Sequence, residues 1–172
     1  MRSASRETDA SLSKRVENVR MNDIPLRPIG LVSSPVTTHT DENWGEIRSK
    51  IILSSEFAGG LLGLEGFSHA IVVTYLHQAG FEREKHLQRR PRNLDSMPET
   101  GIFAQRAKNR PNPIGVTTVE ILDVGHDYLE VRGLDAINDT PVLDIKPYYP
   151  SFDRIEAPRV PGWVDRLMEG YF

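Results

Sequence analysis

With 172 residues, 38% hydrophobic and 26% charged, the chain can bury one core but not comfortably two. It contains no cysteine, which excludes disulfides, thiolate metal sites and a thiol nucleophile. A net charge of −3 argues against a generally basic nucleic-acid binder. The chain also lacks an apolar run long enough to span a bilayer and the apolar centre of a secretory signal, so a cytoplasmic protein is expected.

Residues 1–23 are polar, with sparse apolar side chains, and read as a flexible N-terminal arm; residues 24–172 form a single domain. Leu26 to Val32 has the composition of a strand. The run from Ala70 to Leu76 is nearly continuous in apolar residues, as for a strand buried on both faces, and His69 before it reads as a core histidine satisfying a backbone group. Between Glu82 and Arg110, eight Lys and Arg face four acids, a local positive excess in an acidic chain. Within Gly115 to Val124, apolar residues alternate from Val119 to Val124, relaxing where Leu122 interrupts. Gly125-His126-Asp127 makes a turn, and Tyr128 to Leu134 returns with period two, as a hairpin requires. Asn138-Asp139 supplies a further turn before a strand over Pro141 to Lys146. Pro161 and Gly170 bracket the one segment with helical spacing.

Many short strands without long helices between them predict a mainly β sandwich or barrel. No G-x-G-x-x-G follows a strand, so the fold is expected to be non-Rossmann. No histidine or carboxylate spacing suggests a metal, and none is expected.

Three segments mix prolines and glycines with charged residues beyond what turns need: Gly63 to His69, Gly101 to Gly115 and Asp139 to Tyr148. Pro111 and Pro113 fix the backbone around Asn112, making Arg110-Pro111-Asn112-Pro113 a rigid loop suited to holding a ligand-contacting residue. In this order the strings Gly-Leu-Glu-Gly-Phe-Ser-His, Arg-Pro-Asn-Pro-Ile-Gly and Thr-Pro-Val-Leu-Asp-Ile-Lys-Pro-Tyr, after an opening Pro28-Ile29-Gly30-Leu31-Val32, closely resemble the YaeB/TsaA-like family over roughly residues 27–153.

That resemblance implies an antiparallel β-barrel-like single domain with short peripheral helices and a homodimer with S-adenosylmethionine near its interface. It also implies N6-methylation of threonylcarbamoyladenosine next to the anticodon of tRNA. Carried over by position, the family's cofactor contacts fall on His77 and Gln78, on Arg106, and on Arg132, Gly133, Leu134 and Asp135. Asn43, Trp44 and Gly45 stand where many members have Pro-Arg-Gln, a departure that can mark a subgroup with another substrate.

The donor molecule asks for a carboxylate at its ribose diol or amino group and a cation at its carboxylate, roles that Asp135 and Arg106 can fill, with Trp44 covering the adenine. A carbamoylated N6 is a poor nucleophile, so a base should take its proton. Asp144 and His77 are the candidates, with Lys146 stabilising the anion and Tyr148 stacking on the base. In an extended segment Asp144, Lys146 and Tyr148 share one face. A structural Asp144–Lys146 ion pair is the competing reading. Arg89, Arg90 and Arg92, with Arg110 and Asn112, are the expected tRNA contacts. A same-fold methyltransferase acting on a small molecule, and a non-catalytic barrel that binds S-adenosylmethionine or RNA, are the alternatives.

Overall fold

A computed structural model describes residues 24–172, so the expected N-terminal arm lies outside the described residues. Six strands close into an antiparallel barrel: β1 (Gly30–Ser33), β2 (Arg48–Leu53), β3 (His69–Tyr75), β6 (Ile114–Val124), β7 (Tyr128–Arg132) and β8 (Pro141–Pro147), in the order β1-β2-β7-β6-β3-β8. Closure comes from β1 pairing β8 through Gly30↔Val142 and Leu31↔Pro141, which leaves the main sheet without an edge. The short pair β4 (Gln88–Arg89) and β5 (Thr100–Gly101) lies in the long connection between β3 and β6. This is the mainly β, barrel-like domain that the sequence leads us to expect; among the described residues the α-helices are Arg83–His86, Pro150–Asp153 and Trp163–Met168, with short 3-10 turns elsewhere.

The barrel interior is read directly from strand periodicity. In β2, Ser49, Ile51 and Leu53 point inward and alternate with exposed Arg48, Lys50 and Ile52. Val72, Leu129, Val131 and Val142 are wholly enclosed, and burying each such side chain contributes about 1.5–3 kcal/mol. Gly30 is required where β1 crosses β2, because a Cβ there would lie 2.3 Å from the Ile52 carbonyl oxygen.

β3 corrects one expectation. Only Ala70, Val72 and Thr74 are buried; Ile71 and Val73 are half-buried on the outside, so the run is apolar on both faces but enclosed on one. His69 also faces outward, exposed, with Nδ1 2.9 Å from the Ser68 hydroxyl, rather than serving the core. β1 is shorter than expected, beginning at Gly30 rather than Leu26.

Two irregularities set where side chains point. Leu122 is the extra residue of a β-bulge, since Ile121 pairs Val131 while Asp123 pairs Glu130; this is the interruption visible in the sequence. In β8, Val142 pairs inward-facing Thr74 but Asp144 pairs outward-facing Val73, leaving Leu143 as the extra residue. The bulge therefore turns Asp144 outward, whereas unbroken alternation would put it on the same side as Val142.

Candidate functional site

The register Arg48↔Arg132 draws the loop before β2 against the turn after β7, and the Gly133 N–H donates to the Ile47 carbonyl at 3.0 Å. Gly133 sits at φ 87°, a left-handed conformation that turns the chain sharply out of β7. Leu134 then enters the core and Asp135 meets β6, where the buried Thr117 hydroxyl donates to its Oδ1. The Tyr171 hydroxyl donates to Oδ2 at 2.9 Å. Both oxygens of this half-buried carboxylate are thus oriented by hydroxyl donors. Burial, and then the neighbouring Asp135 charge, push the Tyr171 phenol well above its usual range, which keeps the donor proton in place at neutral pH.

Asn43 and Trp44 are fixed to the same tail: the Asn43 N–H donates to Gly170 at 2.9 Å and the Trp44 N–H to Tyr171 at 2.8 Å. Trp44 is only 3% exposed and its indole N–H donates to the Thr40 carbonyl, so its ring forms part of the loop's own packing and offers no open face. Gly45 packs against Phe172 so closely that a Cβ would stand 2.8 Å from the Phe172 carbonyl carbon.

The second group of expected cofactor residues adjoins the first through β6. The Arg106 guanidinium donates to the Val116 carbonyl, one residue before Thr117, which holds Asp135. His77 and Gln78 follow β3 and are exposed, and the Leu76 N–H before them is tied to Pro113 at 2.7 Å. Burial first, then Lys108 and His77, pull the His39 pKa down, with Asp41 opposing. Asp41 in turn pairs Arg92 at 3.6 Å, and the Arg92 guanidinium lies 5.5 Å from the centre of the Tyr171 ring. Arg132 stands apart, on the barrel exterior: its Nε donates to Glu120 at 2.8 Å.

Asp144, Lys146 and Tyr148 share the outer face, as alternation requires. Asp144 and Lys146 form an exposed ion pair at 2.6 Å, and Asp144 holds the Lys146 ammonium above its ordinary pKa by hydrogen bonding and charge. Tyr148 lies beside His69, ring centres 6.3 Å apart. Asp144, Val73 and Val116 are cross-strand neighbours, so Asp144 sits two strand spacings, roughly 10 Å, from the backbone that anchors Arg106. A cavity of about 500 Å3 is bordered by Asp144 and apolar residues such as Phe57, Leu61 and Phe67, and by none of the expected cofactor contacts.

The basic segment is largely engaged with the protein itself. Arg90 donates to the Met97 carbonyl, Arg92 to Asp41 and Arg110 to the Gln105 carbonyl at 3.2 Å. Arg89 is half-buried with its Nε lacking a partner, and Asn112 is exposed in an irregular loop as the paired prolines dictate. Among the described residues no group of three or more His, Asp or Glu is placed to hold a metal ion. Thr117 and Tyr171 were not singled out from the sequence, because their common partner Asp135 is 18 and 36 residues away.

The sequence profile of the tRNA-methyltransferase O N-terminal domain matches residues 34–154. A protein of Methanothermobacter thermautotrophicus described as a probable S-adenosyl-L-methionine-binding protein is 39% identical over 137 residues, covering 77% of this chain and 96% of its own. The tRNA (adenine(37)-N6)-methyltransferase of Rattus norvegicus is 37% identical over 108 residues, or 63% of this chain and 24% of that one. The crystal structure of TrmO from P. aeruginosa superposes with a TM-score of 0.69 at 28% identity, covering 84% of this chain. The chain spans 63% of that TrmO chain and about a quarter of the mammalian enzyme. The barrel, the order of its signature strings and these likenesses agree: the chain belongs to the tRNA-methyltransferase O N-terminal-domain family, the YaeB/TsaA-like group its sequence resembles.

Proposed function

We propose that this domain binds S-adenosylmethionine and methylates an adenosine of tRNA, the acceptor being N6 of threonylcarbamoyladenosine beside the anticodon. The observation that carries the reading is the junction on β6, where Val116 fixes Arg106 and Thr117 fixes Asp135. A cation and an oriented carboxylate at adjacent backbone positions fit a molecule with a carboxylate at one end and a diol and ammonium as further donors. Two named relatives, an S-adenosylmethionine-binding protein and an adenine-N6 methyltransferase, support the same chemistry. When bound, S-adenosylmethionine supplies a methyl group on a sulfonium, already a good leaving group, so the protein's contribution is chiefly positioning.

In this reading Asp135 receives the ribose hydroxyls or the ammonium, and Arg106 the carboxylate. His77 and Gln78, exposed at the end of β3, line the same region. Asp144 accepts the N6 proton of the substrate base, Lys146 offsets the negative charge that this leaves, and Tyr148 supplies a ring for stacking. These three lie on the outer face, so the acceptor approaches from outside the barrel. A homodimer would cover the apolar outer row in which exposed Tyr75 pairs Ile114 and Val73 pairs Val116. No helix among the described residues is long and apolar enough to cross a membrane. The proposed site of action on tRNA is the cytoplasm.

A second reading, a small-molecule acceptor, draws on the arginines: Arg90, Arg92 and Arg110 donate to the protein's own carbonyls, and the net charge is −3. Mass spectrometry of tRNA nucleosides after incubation with protein and S-adenosylmethionine separates the two. Methylated threonylcarbamoyladenosine is the expected product; unmodified nucleosides despite donor binding would favour the small molecule.

A further inference from the structure

The segment after the last helix closes over the site. That helix ends at Met168; Gly170, at φ 70°, then turns the chain, and residues 170–172 reach loop 43–45, Asp135 and Arg92 together. This stretch lies beyond residues 34–154, the part matched by the family profile. We infer that residues 170–172 form a strap that builds one wall of the donor pocket, with Tyr171 as the positioning residue that fixes the Asp135 carboxylate.

Two backbone carbonyls of the strap accept the N–H groups of Asn43 and Trp44, and Asn43 is held at φ 59°, a left-handed conformation uncommon for a side-chain-bearing residue. The Gly45–Phe172 packing leaves no room for a methyl group between them. The Tyr171 ring is half-buried, with Arg92 on it and Asp135 at its hydroxyl. Rotating Asp135 would break the Tyr171 bond on one oxygen and the Thr117 bond on the other, so the two hydroxyls together define the direction of the carboxylate's remaining lone pairs. A carboxylate has about four acceptor positions, so two hydroxyl donors leave room for a bound diol or ammonium. The strap is therefore compatible with an occupied site and does not compete for all of Asp135. An oriented acceptor binds more tightly than a rotating one because its ordering cost is met during folding.

The inference rests on the proposed donor site, and S-adenosylhomocysteine, which shares the ribose, ammonium and carboxylate of the donor, is the probe. Calorimetry at neutral pH should show Tyr171→Phe weakening its binding by roughly tenfold, the loss of one hydrogen bond to a charged group. Asp135→Asn should weaken binding too, and the double variant should bind no worse than Asp135→Asn alone, because the hydroxyl acts through the carboxylate. In turnover, Tyr171→Phe should raise the KM for the donor and leave kcat within about twofold. Unchanged affinity in Tyr171→Phe, tighter binding in that variant, or losses that simply add in the double variant would each overturn the strap's role. Wild-type protein that ignores S-adenosylhomocysteine would overturn the donor site itself and the strap's function with it. Normal wild-type binding beside an indifferent Tyr171→Phe would overturn the strap alone.

Discussion

Asp135 and Asp144 are the same side chain in two settings on one barrel. Asp135 leaves the end of β7 through a glycine turn, is half-buried, and has a hydroxyl donor on each oxygen. Asp144 is turned outward by a bulge, where one oxygen accepts the Ile145 N–H and the other pairs exposed Lys146. The first is rigid before any ligand arrives, which suits recognition; the second is free to exchange partners, which suits proton transfer to an incoming base. In the proposed reaction the barrel would thus separate holding from reacting by changing the environment of one residue type.

The sharpest way to break this contrast is Asp144→Asn. It should slow methyl transfer by about 100-fold, a general base's usual contribution, while S-adenosylhomocysteine affinity stays at the wild-type level. Equal rates in single-turnover assays would take Asp144 out of the reaction. Asp135→Ala should do the reverse kind of damage. It strands the Thr117 and Tyr171 hydroxyls, which should cost about 2 kcal/mol in urea unfolding and weaken donor binding at least tenfold. A variant as stable as the wild type would mean that the two hydroxyl contacts carry little energy.

Alkaline titration sharpens the comparison with a smaller effect. Burial and Asp135 raise the Tyr171 pKa, Asp41 adds to this and Arg92 opposes it. Because the folded-state value lies above the unfolded one, the phenol's contribution to stability is complete below about pH 10 and is lost as the pH climbs beyond that. Wild-type protein should therefore lose more stability than Tyr171→Phe between neutral and strongly alkaline pH; parallel profiles would show that the phenol's surroundings do not favour its neutral form. Smallest of all should be Lys146→Met. An exposed ion pair is screened by water, so the thermal midpoint should not move measurably, although the rate of transfer should fall. A clear drop in midpoint would make the Asp144–Lys146 pair a structural element.

Much of the barrel was legible because strand chemistry is local. The β6–β7 hairpin was marked by alternation and by Gly125-His126-Asp127, and even its bulge showed as the misplaced Leu122. The last helix was bracketed by Pro161 and Gly170. β2 escaped notice because outward-facing Ile52 sits between inward-facing Ile51 and Leu53 and hides the period of two. β3 misled for a related reason: apolar residues on its outer face imitate burial on both sides, although Ile71 and Val73 are only half-buried among the described residues. At the site, the motif strings pointed to Arg106, Asp135 and the Asp144–Lys146 pair, but not to the residues that hold Asp135. Thr117 looks like any strand threonine, and Tyr171 bonds a residue 36 positions earlier, a pairing that only the closed barrel creates.

In the proposed site the donor binds between loop 43–45, the turn at 133–135 and Arg106. Hydrogen exchange measured with and without S-adenosylhomocysteine tests it directly. Slower exchange should appear in peptides covering residues 43–47, 104–108 and 132–136; slower exchange confined to the cavity around Phe57 and Phe67 would contradict it.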